Sequence, residues 1–152
     1  PNIKNVNYMN LVLAEEEVKG KAEHPWAVLL DTRGFLCEGI GSNIFLVSDG
    51  VVLTPRPQFV LEGVSRQIVI DLAVDLGIPV SEDDLTTFQA ETADEAFMTS
   101  TSLCLCPARS YNGKTLGDGK VPGPITAQLM AGFSELVGYD FVGQYLRKLN
   151  ST

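Results

Sequence analysis

Four short clusters along the chain carry side chains that can do chemistry. Lys4, in Asn2-Ile3-Lys4-Asn5-Val6-Asn7, brings a primary amine. Such an amine forms a Schiff base when a desolvated pocket lowers its pKa; on position alone, a lysine so near the start reads as a solvated surface group. Glu38-Gly39-Ile40-Gly41-Ser42-Asn43-Ile44-Phe45 sets a carboxylate and an amide among small residues. Small residues let a backbone approach a ligand closely, and they equally suit an ordinary turn between strands. Leu61-Glu62-Gly63-Val64-Ser65-Arg66 opens a helical pattern. Free N–H groups at a helix start, with a serine hydroxyl beside them, suit an anion, although Ser65 could serve only as a cap. Thr99-Ser100-Thr101-Ser102 follows an apolar stretch with four successive hydroxyls, enough to hold a phosphate or to make a polar turn.

These clusters need elements to position them. Tyr8 to about Lys19 reads as a helix, with Tyr8, Leu11, Val12 and Val18 on one face, Glu15, Glu16, Glu17 and Lys19 on the other, and Gly20 as its stop. Trp26 to Leu30 is a short apolar run of the kind a buried strand makes, and Arg33-Gly34 follows as a turn. Asn43–Val47 and Val51–Leu53 flank Asp49-Gly50, a strong hairpin signal, and Thr54-Pro55-Arg56-Pro57 reads as a loop. Val64 to Gly77 has the period of an amphipathic helix with its glycine stop. Ile78–Val80, Ala96–Met98 and Leu103–Leu105 read as strand material, Asn112-Gly113 as a turn, and Pro122-Gly123-Pro124 as a break before a last helix, about Ile125 to Val137, ended by Gly138. Interleaved strands and helices give an α/β or α+β class.

Composition narrows the function. At 152 residues the chain has the size of one domain. Its net charge of −8 argues against a general nucleic-acid binder, which needs a basic surface. With 45% hydrophobic and 20% charged residues it is not a disordered chain. No apolar run is long enough to span a bilayer and no secretory signal opens the sequence, so no membrane role is expected. Cys37, Cys104 and Cys106 cannot all pair with one another, which suits reduced thiols and a cytoplasmic setting. A single histidine, His24, makes a His-rich metal centre or a Ser-His-Asp triad hard to build, so no metal is expected. The opening at Pro1, without an initiator Met, suggests a processed product, a cut chain or a shortened reading frame.

Taken in order, the clusters resemble the signature of class IV (fold-type IV) pyridoxal-phosphate-dependent aminotransferases. This family includes D-amino-acid and branched-chain aminotransferases, (R)-selective amine transaminases and aminodeoxychorismate lyase. The resemblance rests on Glu38-x-Ile40-x-x-Asn43-Ile44-Phe45, Val52-x-Thr54 and Leu61-x-Gly63-Val64-x-Arg66. It continues through Ala93-Asp94-Glu95-Ala96-Phe97 with Thr99-Ser100-Thr101, and through Asn112-Gly113, Gly117-Asp118-Gly119 and Gly123-Pro124-Ile125-Thr126. It implies the large C-terminal domain of the D-amino-acid aminotransferase-like fold over residues 1–150: a β-rich pseudo-barrel with flanking helices, lacking the small N-terminal domain. It also implies pyridoxal 5'-phosphate as cofactor, with an amino donor and a keto-acid acceptor as small-molecule substrates.

The resemblance assigns roles residue by residue. Lys4 matches the Schiff-base lysine that also moves the proton. Glu38 matches the carboxylate facing the pyridine nitrogen, which keeps that nitrogen protonated so that the ring can take up electrons. Val64 and Ser65 match the phosphate cradle at a helix start, and Thr101, with Ser100, a further phosphate ligand. Ser102 and Leu103 match positions near the substrate carboxylate. Asn43 and Arg66 match supporting positions behind these. The implied reaction is transamination of an amino acid or primary amine. Pyruvate elimination, as in the lyase, and a truncated, catalytically silent, self-associating domain are the alternatives.

Some residues depart from the family pattern. Val64-Ser65 stands where Ile-Thr is usual, with the hydroxyl kept. The glutamate that many relatives carry two or three residues after the match to Thr101 is absent. Cys104-x-Cys106 is not a Cys-x-x-Cys pair, and both thiols read as small core residues. Tyr8 falls four residues after Lys4, a spacing nearer the D-amino-acid and amine-transaminase branch. Family members carry, ahead of the lysine, a segment that supplies a phosphate-binding arginine and much of the substrate pocket. A chain without it is expected to self-associate as a dimer or larger, or to keep a separate N-terminal segment as partner.

Overall fold

The computed structural model describes residues 7–149. Its centre is β3 (Ser42–Ser48), a strand buried on both faces. Phe45 and Val47 point to one side, Ile44 and Leu46 to the other, as the two-residue period of a strand requires. One edge of β3 pairs antiparallel with β6 (Glu95–Ser100), from Asn43↔Thr99 to Val47↔Glu95. The other edge is shared. β2 (Leu36–Gly39) pairs with its beginning, Glu38↔Asn43 and Gly39↔Ser42, and β4 (Val51–Pro55) pairs with its end, Leu46↔Leu53 to Ser48↔Val51. Between them β2 and β4 splay apart, and there the Thr54 hydroxyl donates to the Ile44 carbonyl at 2.9 Å. A buried side chain thus satisfies a backbone group that no neighbouring strand reaches.

The sheet extends through β1 (Val28–Leu30) beside β2, β5 (Val80–Asp83) parallel to β4, and β7 (Cys104–Ala108) beside β6. β8 (Ser110–Tyr111) and β9 (Lys114–Thr115) make a separate two-stranded ribbon. On one face, Phe45 stacks on its cross-strand partner Phe97, with ring centroids 4.9 Å apart. Around this pair pack Val69 and Ala73 of α2 (Val64–Asp75), Leu129 and Phe133 of α4 (Pro124–Val137), and Phe141 of α5 (Phe141–Leu149). On the other face, Leu36, Ile44, Leu46 and Met98 pack with Leu85, Leu116 and Ala90 of α3 (Thr87–Thr92). Each such burial is worth roughly 1.5–3 kcal/mol for a large aliphatic or aromatic side chain.

Glu95 shows how the first face is held. It sits on β6 in register with Val47, so it points toward the helices. Its carboxylate accepts the N–H groups of Ile125 at 2.9 Å and Thr126 at 2.8 Å, capping α4 from a distant strand. α4 has no side-chain cap from its own N-cap residue, Gly123, and a Cβ there would lie 2.3 Å from Glu95 Cδ. Glu95→Ala should therefore lower stability by about 1–2 kcal/mol, the range of a lost cap plus its favourable dipole contact. Glu95→Gln keeps one acceptor but turns an amide NH2 toward the other N–H, so it should recover only part of that loss, read from urea midpoints.

The Asp49-Gly50 hairpin, α2 with its stop at Gly77, the Asn112-Gly113 turn and α4 with its left-handed Gly138 stand where the sequence places them. Other expectations need correction. The apolar run Trp26–Leu30 yields β1, a half-buried edge strand with Leu30 exposed, because only β2 flanks it. Thr54 and Pro55 belong to β4 rather than a loop, since their parallel pairing with Glu82 and Asp83 prolongs the strand. β5 begins at Val80, two residues beyond the start expected at Ile78. α1 (Met9–Val18) forms, yet none of its residues is buried. α3 goes beyond the sequence reading, and α4 is not the last helix, since α5 follows it. No helix among the described residues is long and apolar enough to cross a membrane.

Candidate active site

Glu38, Asn43 and Thr99 form a row across three strands. Glu38 on β2 faces Asn43 on β3, and Asn43 faces Thr99 on β6. Direct cross-strand partners share a face, so all three lie on the side of the sheet that α2 covers. The two-residue turn Ile40-Gly41, with Gly41 at φ +66°, sets this register. Above the row opens a cleft of about 260 Å³. Its wall on one side is Gly63, Val64 and Ser65 at the start of α2, and on another Ser100 and Thr101 at the end of β6. Asn7, Tyr8, Asn10 and Leu11 close a third side.

The loop leading into α2 is held by the row itself. The Leu61 N–H donates to Glu38 Oε2 at 2.8 Å, and Asn43 Nδ2 donates to the Leu61 carbonyl at 2.8 Å. α2 then begins at Gly63 with no side-chain cap. The first N–H groups of a helix have no acceptor inside it, and the helix dipole makes that end positive. Thr99, a residue only 1% exposed, adds a hydroxyl with no hydrogen-bond partner among the described residues. The cleft therefore offers N–H groups and hydroxyls at one end and a carboxylate at the other.

Arg66 does not line the cleft. Its guanidinium is buried and donates to the Pro55 carbonyl at 2.9 Å and to Glu82 Oε1 at 2.6 Å, tying the first turn of α2 to β4 and β5. Ser102 and Leu103 also lie outside the cleft wall, in the turn between β6 and β7. That turn is braced by the Leu103 N–H donating to Ser100 Oγ at 3.1 Å and by Tyr145 Oη donating to the Ser102 carbonyl. Lys4 lies outside the described residues, while Asn7 and Tyr8, close behind it in sequence, line the cleft. The three thiols are half-buried. Burial, with the neighbouring Glu38 and Asp31 charges, pushes the Cys37 thiol up, and burial alone does so for Cys104 and Cys106. Among the described residues no group of three or more His, Cys, Asp or Glu could hold a metal.

Thr99, Leu61 and Gly63 go beyond the site residues read from the sequence. The hairpin register was the available signal for the row: two turn residues at Ile40-Gly41 force Glu38 opposite Asn43. Leu61 contributes only backbone, so its side chain gave no sign.

The chain matches the family model of the class IV amino-transferases over residues 1–111. It belongs to the class IV aminotransferases. Among curated relatives, the branched-chain-amino-acid aminotransferase of Pseudomonas aeruginosa is 37% identical over 134 residues, 88% of this chain and 43% of that one. Among solved structures, the branched-chain amino acid aminotransferase of Escherichia coli superposes with a TM-score of 0.80 at 32% identity, covering 90% of this chain and 48% of that one. A branched-chain amino acid aminotransferase from T.th., solved with pyridoxamine 5'-phosphate, gives 0.79 at 36% identity over 87% of this chain and 44% of that one. The chain thus spans about half the length of the relatives it matches. Their common fold is the mixed α/β sheet with flanking helices described above.

Proposed function

We propose that the cleft is the cofactor site of a pyridoxal-phosphate-dependent transaminase, with residues 1–150 as its cofactor-binding domain and a branched-chain amino acid and a keto acid as substrates. The observation that carries this reading is the row Glu38–Asn43–Thr99 beneath the uncapped start of α2. The relatives' names support the substrate class. The residues fit the cofactor. The start of α2, with the Ser65 and Thr99 hydroxyls, suits a phosphate; Glu38, held through Oε2 by Leu61, has Oε1 to offer a protonated ring nitrogen. The bound cofactor supplies a conjugated ring that takes up the electron pair released when a substrate Cα–H bond breaks.

The chain's own groups do the rest. The Lys4 amine holds the cofactor covalently and carries the proton to and from the substrate carbon. Glu38 keeps the ring nitrogen charged. Thr101 and Ser100 border the phosphate end, and Ser102 and Leu103 orient the substrate carboxylate through the turn they form. Arg66 holds α2 from behind. Exposed apolar side chains such as Met9, Leu13, Val64 and Phe88 support self-association, or pairing with a further segment that completes the substrate pocket.

The test is to add pyridoxal phosphate to the purified chain, reduce with borohydride and map the labelled peptide. Label on the peptide carrying Lys4 is expected; label spread over Lys19, Lys21 and the other surface lysines would sink the assignment. Glu38→Gln separates the two tasks of Glu38. A glutamine oxygen still accepts the Leu61 N–H but has no charge for the ring. Transamination should drop on the order of 10²-fold while the urea midpoint hardly moves. An equal fall in stability would make Glu38 a structural residue only.

A further inference from the structure

We propose that Asn43 is the positioning residue for the anion end of the cleft: by locking the loop from Leu61 to Gly63, it sets where α2 presents its first N–H groups. The proposal rests on the cofactor reading above and deepens it.

One amide touches the loop twice. Nδ2 donates to the Leu61 carbonyl, and Oδ1 lies against Gly63 so closely that a Cβ on Gly63 would come within 2.3 Å of it. Gly63 has φ −68° and ψ 141°, ordinary extended backbone open to any residue. Nothing in the torsions demands a glycine there. The demand comes from Asn43, since the next contacts of that Cβ would be Asn43 Cγ at 3.5 Å and Arg66 Cβ at 3.7 Å. The other backbone group of Leu61, its N–H, goes to Glu38. Glu38 and Asn43 are cross-strand partners, so a rigid hairpin grips both polar groups of one residue. Two residues later Gly63 accepts the Gln67 N–H and α2 begins. The carboxylate that faces the ring end and the helix start that faces the phosphate end are therefore linked through the same short loop, which bonds to the first and leads into the second. A shift of that loop moves the phosphate end relative to the sheet while leaving Glu38 on its strand.

This predicts a selective defect. Asn43→Ala should weaken pyridoxal phosphate binding by about tenfold or more, yet leave pyridoxal, which lacks the phosphate, within about twofold of the parent. Gly63→Ala should show the same selectivity, because its methyl group pushes the loop off Asn43. The double variant has room for that methyl group, so its loss should be no greater than that of Asn43→Ala alone. Inorganic phosphate should compete with pyridoxal phosphate in the parent and poorly in the variants. Equal losses for pyridoxal phosphate and pyridoxal, or additive losses in the double variant, overturn the proposal. Where a single variant folds poorly, amide hydrogen exchange on the milder Asn43→Ser decides. Exchange should accelerate over residues 61–67 and stay unchanged over α4; no change at 61–67 overturns the clamp. A parent chain that takes up neither pyridoxal phosphate nor phosphate would refute the cofactor reading, and the exchange measurement would still decide the clamp by itself.

Discussion

A Lys4→Ala chain should lose transaminase activity by at least about 10³-fold and trap no cofactor on borohydride reduction, while its urea midpoint stays with that of the parent. On the function proposed above, two tasks would disappear together in this variant, the covalent hold on the cofactor and the carriage of the proton. The described lining of the cleft has no substitute for either: it contains no lysine, histidine or cysteine, only Glu38, hydroxyls, amides and apolar groups. Glu38 already accepts the Leu61 N–H through one of its oxygens. Added primary amines of small size should restore part of the proton transfer without restoring the covalent bond. Activity retained within tenfold of the parent would place the reactive amine elsewhere in the chain.

The second large effect is on stability. Arg66→Ala should destabilise the chain by about 2–4 kcal/mol, seen as a lower urea midpoint. The side chain is only 2% exposed, so truncation opens a cavity and leaves the Pro55 carbonyl without its donor. Its charge is a less secure source of stability. Glu82, the ionic partner, is 39% exposed at its side chain and rehydrates when released, and Arg66 Nε has no hydrogen-bond partner among the described residues. Arg66→Met keeps the volume and removes that buried charge, so it should recover a large share of the loss. Pyridoxal phosphate binding should stay weaker in both variants, because neither ties the first turn of α2 to β4. A methionine variant as unstable as the alanine one would show that the hydrogen bonds, not packing, dominate.

The parts of this fold that were legible in the sequence share a local cause. Asp49 at φ 50° and Gly50 at φ 78° need residues that tolerate positive φ, and the sequence names such residues. α2 was legible through its period and the glycine that ends it. α3 has only six residues, too few for a period, although Thr86 and Gln89 form a capping box that was there to be read. α5 lay beyond the Gly138 stop, and its spacing of Phe141, Val142, Tyr145 and Leu146 was the unused signal. Cys104 adopts φ 57° without being glycine, a conformation imposed by the β6–β7 turn that no composition rule announces. At the site, family resemblance picked out Glu38, Asn43, Val64, Ser65 and Thr101, and the cleft brings these together. Resemblance put Arg66 among the supports behind the site, but it did not say that its guanidinium would tie α2 to β4 and β5, nor that Ser102 and Leu103 would sit in a braced turn beside the wall. Those positions depend on pairings between distant strands, which a local reading does not reach.

The sharing of β3 has a consequence for how the chain comes to its structure in time. β3 finds β2 and β4 within a few residues on either side, but the partner for its other edge, β6, lies roughly fifty residues further along. During synthesis this buried strand therefore waits with one side unpaired until residues 95–100 emerge. An unpaired apolar edge is the kind of surface on which chains join one another. The slow step in folding should be closure of β3 onto β6, and substitutions at Phe45 and Phe97 should retard refolding more than those at the helices, which add their cover afterwards.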